Sequence, residues 1–130
     1  MEKIKVIIDW EENYGAFSDE VLGCVAVHKT VEGVKEAYKS ALEFHLEGMD
    51  KKDIPAKLQG RYELEFEMTA QALLHHFDGV ITRAALSRIT GINERQLGHY
   101  MTRYRRPRPV QRLKIINGLH RIGKELTAVT

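Results

Sequence analysis

Between Thr82 and Pro109 the chain reads TRAALSRITGINERQLGHYMTRYRRPRP, a set of residue types suited to a nucleic-acid duplex. Arg95 carries a planar fork that can take guanine O6 and N7 together. Gln96 carries the amide that does the same with adenine N6 and N7. His99, one helical turn on, can reach a base or a phosphate, and Glu94 stands beside them. Arg103, Arg105, Arg106 and Arg108, in a segment stiffened by Pro107 and Pro109, supply charge for phosphates, which gives affinity without sequence information. Thr82 and Asn93 join them as phosphate candidates, because each sits where a helix starts and free N–H groups accumulate.

The elements that would position these groups follow from capping residues and apolar spacing. Thr82 caps a helix over Arg83–Ile89 whose inward side is Ala85, Leu86 and Ile89. Thr90-Gly91-Ile92 reads as a three-residue turn, with glycine able to take the positive φ that closes the angle between two helices. Asn93 caps a helix from Glu94 to about Tyr104, held inside by Leu97 and by Tyr100 or Met101. With Leu97 inward, Glu94, Arg95, Gln96, Gly98 and His99 cover the outside of the opening turns, the part of a recognition helix that reaches base edges. Thr69–Phe77 precedes them as a capped helix with an apolar face at Ala70, Leu73, Leu74 and Phe77. Val110–Val129 follows, with apolar residues at helical spacing; Gly118 and Gly123 weaken it enough to allow two shorter helices. Its apolar surface exceeds what one small bundle needs. This predicts a dimer seam within Ile115–Leu126, at Ile116, Leu119, Ile122 and Leu126, which would pair two recognition helices on a palindromic site.

Charge divides the chain. Residues 69–130 carry 11 Lys/Arg against 3 Asp/Glu, a balance of +8, whereas residues 1–68 carry 9 against 15, a balance of −6. The division suggests two modules, 1–68 and 69–130. Each is near the lower size limit for independent stability, which favours a homodimer or a higher homo-oligomer.

The acidic half reads as β-β-β-α-β. Lys3–Trp10 is a strand rich in Ile and Val, Glu11–Asn13 a turn, Tyr14–Ser18 a short partner strand and Cys24–His28 a third strand. Thr30 caps a helix with Val31, Val34, Tyr38, Ala41, Leu42 and Leu46 on one face and Gly48 at its end. A polar connector with Pro55 leads to Tyr62–Glu67, where Glu63, Glu65 and Glu67 alternate with Tyr62, Leu64 and Phe66. That face is either a solvated surface or a docking surface for a basic partner. The fold class expected is α+β: a small sheet with one helix, then an all-α helix-turn-helix module.

Catalytic signals are weak. Asp9, Glu11, Glu12, Asp19 and Glu20 invite a metal-dependent nuclease, but most of them lie in turns. His75 and His76 point about 100° apart on a helix and cannot readily share a metal. There is no glycine-rich phosphate loop, no G-x-S-x-G and no H-E-x-x-H. The expectation is no enzyme, no catalytic residue, no metal and no cofactor. Cys24, the single cysteine, lies in an apolar run and reads as a core residue, which suits a reducing cytoplasm. The N-terminus has no apolar stretch long enough for a signal peptide or a membrane span.

Gly23-Cys24-Val25-Ala26-Val27, then Thr30 and VEGVKEAYKSALEFHLEGM, resemble the HicB domain. LSRITGINERQL at Leu86–Leu97, with the RRPRP exit, resembles a lambda-repressor-like (Xre-type) helix-turn-helix. In this order they resemble a HicB-type antitoxin of bacterial HicAB toxin–antitoxin systems over nearly the whole chain. Where that family commonly has Pro-Asp-Leu-Pro-Gly, this chain has Ser18-Asp19-Glu20-Val21-Leu22-Gly23. The resemblance implies a partial RNase H-like first half without nuclease activity that binds a small basic HicA-type mRNA-cleaving toxin. It implies a second half that represses its operon on double-stranded operator DNA. Glu63, Glu65 and Glu67 are the toxin-binding candidates. Two other readings stay open: a repressor whose first half senses a ligand or only oligomerises, and a metal-dependent nuclease.

Overall fold

The computed structural model describes all 130 residues, Met1–Thr130. The chain is α+β, a four-stranded mixed sheet followed by helices. It folds as two compact units, Met1–Ala72 and Leu73–Thr130.

In the first unit, β1 (Glu2–Glu11), β2 (Asn13–Ser18) and β3 (Val21–His28) form an antiparallel meander. The chain reverses between β1 and β2 at Glu12, whose φ of 67° is left-handed. Helix α1 (Val31–Glu47) and two short 3₁₀ turns, Lys51–Asp53 and Ala56–Leu58, carry the chain to β4 (Tyr62–Met68). β4 pairs parallel to β1, giving the order β3-β2-β1-β4. A parallel return needs a long crossover, and α1 with its connector supplies one. Leu58 leaves the otherwise polar connector to join the core.

Period-two alternation places Ile4, Val6 and Ile8 of β1 in the core, beside Ala16, Cys24 and Ala26. Helix α1 covers this face with Val31, Val34, Tyr38 and Leu42, packing mainly on β3 and β2. The Thr30 hydroxyl caps it by accepting from the Gly33 N–H at 2.9 Å. Where β2 ends short of β1, side chains satisfy the β1 backbone. The Ser18 hydroxyl donates to the Lys5 carbonyl at 2.6 Å, and Glu20 accepts from the Lys5 N–H at 2.9 Å. Burial pushes the Cys24 thiol and the Tyr38 hydroxyl up from their usual ranges, which suits core groups. The Tyr38 hydroxyl lies beside Cys24 without reaching hydrogen-bonding geometry.

Helix α2 (Ala70–Phe77) leads into the second unit, followed by α3 (Arg83–Thr90), α4 (Glu94–Met101) and α5 (Pro109–Thr127). Leu74, Leu86, Ile92, Leu97, Tyr100, Met101 and Ile115 form the interior of this unit. The sequence allowed two shorter helices after Pro109; α5 is a single helix instead. Gly118 does not break it, because Gly118 is buried where α5 crosses α3. A Cβ there would stand 2.8 Å from Thr90 Cγ2 and 3.3 Å from Ile89 Cγ2. Close packing therefore outweighs the low helix propensity of glycine. No helix in the chain is long and apolar enough to cross a membrane.

Candidate nucleic-acid interface

Helices α3 and α4 are joined at Gly91, whose φ of 78° is left-handed and ends α3. The Thr82 hydroxyl accepts from the Ala85 N–H at 3.0 Å and the Asn93 side chain from the Gln96 N–H at 2.8 Å. Both residues cap their helices, so each helix start is defined by its own sequence. Ile92 and Leu97 are buried on either side of Asn93, and this sets the rotation of α4.

With Leu97 inward, Glu94 and Arg95 are fully on the surface. Gln96 is half-buried, and its side-chain amide donates to the Tyr100 hydroxyl at 3.0 Å. Gln111 of α5 donates to the same hydroxyl at 3.4 Å. Gly98 gives space to a residue that the sequence reading passed over: a Cβ at Gly98 would stand 2.7 Å from Arg83 Nη1. The Arg83 guanidinium thus lies over α4 at Gly98 and brings a cation to this helix. Its position directly after the Thr82 cap was the available signal.

α4 ends at Met101, not near Tyr104 as its spacing suggested. Arg103 takes a φ of 68° and turns the chain back. The Arg105 N–H donates to the His99 carbonyl at 3.1 Å. Tyr104 packs on His99 with ring centroids 4.8 Å apart, and the Arg105 guanidinium sits 5.5 Å from the Tyr104 centroid. A helix would have spread Arg103, Arg105 and Arg106 around its circumference. The turn and the His99–Tyr104–Arg105 contacts instead bring Arg105 back to the end of α4. Arg103, Arg105, Arg106 and Arg108 are all exposed, and Arg108 precedes α5 at its N-cap position.

The four proposed seam residues come together. Ile116, Leu119, Ile122 and Leu126 of α5, with Leu73 and Phe77 of α2, line an apolar groove of about 400 Å³. Leu126 is 65% exposed.

In the first unit, Glu63, Glu65 and Glu67 project on the sheet face opposite α1. They share it with Lys3 and Lys5, their neighbours in the β1–β4 register. Lys5 pairs with Glu67 at 3.1 Å and Lys3 approaches Glu63 at 4.0 Å, both on the surface. The chain thus supplies part of the cationic relief that three aligned carboxylates call for. Asp9 accepts from the Thr69 hydroxyl at 2.7 Å and the Trp10 N–H at 2.9 Å, a structural arrangement that ties β1 to the start of α2. No three His, Cys, Asp or Glu side chains group as a metal site.

Comparison with protein-family models, with curated proteins and with solved structures gives no match.

Proposed function

We propose that this chain is a two-partner regulator: an antitoxin that represses its own operon by sequence-specific DNA binding and neutralises a small basic HicA-type toxin. The observation that carries the DNA reading is the surface of α4. A short helix held by a buried Leu97 and capped by Asn93 exposes Glu94 and Arg95 and leaves Gln96 and His99 half-exposed, with Arg83 against Gly98 and the exposed Arg103, Arg105 and Arg106 following the helix. On this reading α3, the Gly91 turn and α4 are a lambda-repressor-like helix-turn-helix, with α4 in the major groove. Arg95 reads a guanine edge, the Gln96 amide oxygen and His99 contact neighbouring groups, and the arginines grip phosphates. The N-termini at Thr82 and Asn93 add backbone donors for phosphate.

The β-β-β-α-β unit is read as a partial RNase H-like, HicB-like domain without nuclease activity. Its Glu63, Glu65 and Glu67 face offers a basic toxin a net negative surface, with Glu65 between the two lysine-paired carboxylates. The α2–α5 groove is the seam of a homodimer that presents two α4 helices to a palindromic operator. The protein works in the cytoplasm, where operator and toxin are found.

Two experiments test the two halves separately. Selection from a random duplex library should enrich one palindromic sequence, and no enrichment would end the DNA reading. Co-expression with the adjacent gene's product should rescue growth and yield a co-purifying complex; neither outcome would remove the toxin reading. A repressor whose first unit only oligomerises is the second reading, favoured because Lys3 and Lys5 already occupy two of the three carboxylates.

A further inference from the structure

The two edges of the sheet differ in kind. β4 carries Glu63, Glu65 and Glu67 on alternate residues, a charge pattern that discourages edge pairing. β3 is an edge strand, VLGCVAVH, with no Asp, Glu, Lys, Arg or Pro in it; its register against β2 jumps from Phe17–Val25 to Ser18–Val21, a bulge at whose centre Gly23 has a φ of 84°. It exposes Val25 and Val27, each 64%, on the open face, where Val25 continues a row with Phe17 and Ile7. The bulge disturbs only the start of the strand; from Val25 to His28 it pairs regularly with β2, and no Asp, Glu, Lys, Arg or Pro guards its outer backbone groups there.

A second exposed feature flanks the same edge. Helix α1 lies over β3, and near its end Phe44 is 79% exposed. Phe44, Ala41, His45 and Met49 form, with Gly23 to Val25, an open groove of about 430 Å³ along the edge. An added strand would fill the edge, and a helix travelling with it would cover Phe44. The only partner the chain itself specifies with both parts is another copy.

Charge at the strand ends fixes the direction. Asp19 and Glu20 precede β3, and His28 and Lys29 close it; Asp19 and Lys29 are exposed. Parallel pairing of two β3 strands would set Asp19 beside Asp19 and Lys29 beside Lys29. Antiparallel pairing about a two-fold axis near Val25-Ala26, the midpoint of the ladder once the bulge is allowed for, sets the acidic end of each copy beside the basic end of the other, twice. The uncharged middle then meets itself without a like-charge contact.

We propose that β3 is a self-association edge, pairing antiparallel with β3 of a second copy to give a continuous eight-stranded sheet with the two α1 helices adjacent. This contact needs nothing from the helical unit and does not depend on the DNA reading.

Segment-resolved hydrogen–deuterium exchange on the full chain tests it, because it separates β3 from association through α5. The amides of Val21–His28 that face away from β2 should be protected in concentrated solution and lose protection on dilution. Asp19→Lys or Lys29→Glu should each raise the concentration needed for protection by about tenfold, since each reversal puts like charges at both ends. The double reversal Asp19→Lys/Lys29→Glu should restore it. Outward β3 amides that exchange freely at every concentration overturn the proposal. So does protection indifferent to both single reversals, or protection that arises only when a different protein is added.

Discussion

The Gln96 side-chain amide donates to the Tyr100 hydroxyl at 3.0 Å, so the orientation of a residue on the α4 surface is set by a buried one. Tyr100 is 2% exposed and also accepts from Gln111. Removing that hydroxyl frees Gln96 without changing the surface composition. Tyr100→Phe should cost about 1 kcal/mol in urea unfolding. If Gln96 reads DNA, the same variant should lose discrimination at one base position of the selected duplex while keeping affinity for random DNA. Unchanged discrimination would take Gln96 out of the reading set.

Arg95 and the arginine cluster should separate by what they lose. Arg95→Ala should reduce preference for the selected duplex over random DNA by about 1–3 kcal/mol. Arg105→Ala with Arg106→Ala should weaken both about equally and lower the salt slope by about one unit per lost phosphate contact. Binding isotherms over a salt series distinguish the two outcomes. Specificity intact in Arg95→Ala means that α4 does not dock by its first turn.

Two glycines of α5 should respond in opposite senses. At Gly118 a methyl group meets Thr90, which cannot rotate away cheaply. The Thr90 hydroxyl donates to the Leu86 carbonyl at 2.7 Å and accepts from the Ile92 N–H at 3.2 Å. Gly118→Ala should therefore destabilise the second unit by about 1–3 kcal/mol. At Gly123 nothing lies within 4 Å, and Gly123→Ala should stabilise by up to about 1 kcal/mol. Thermal unfolding of both variants checks the contrast.

Gly33 is tied to His28 in the same manner. A Cβ at Gly33 would overlap the His28 ring at Nδ1, the atom that accepts from the Thr30 N–H at 3.2 Å. Gly33→Ala must displace the ring, cancelling the gain in helix propensity. In a His28→Ala background the same change should stabilise by up to about 1 kcal/mol. A double-mutant cycle should give a coupling of about 1–2 kcal/mol, and additive effects would show that the ring is free to move.

The Lys57–Glu20 ion pair, 2.5 Å long on the surface, predicts a dependence on pH. The Lys57 ammonium, and then the Lys5 N–H, hold the Glu20 carboxyl below its usual range. A depressed folded-state value means that the stabilisation is present above the unfolded-state value and is lost as pH falls through the folded one. Glu20→Gln should be less stable than the parent near neutrality, and the gap should close on acidification below about pH 4. A gap that persists in acid would assign the role of Glu20 to packing.

Local chemistry was legible in the sequence. Thr30, Thr82 and Asn93 each announced a helix start, because a cap needs only a side-chain oxygen and the next few N–H groups. Alternation exposed β1 and β4, and Leu97 set which side of α4 faces out. Tertiary structure decided what depends on contact between segments distant in sequence. β4 joins β1 in parallel, and the lysines of β1 thereby fall beside Glu63 and Glu67. α5 stays whole because Gly118 meets Thr90 of another helix. Arg103 turns the chain back, so that Tyr104 and Arg105 close on His99 and Arg83 arrives over Gly98. Periodicity along one segment carries no record of its neighbours, whereas register, close approach and ring contact are set when segments meet.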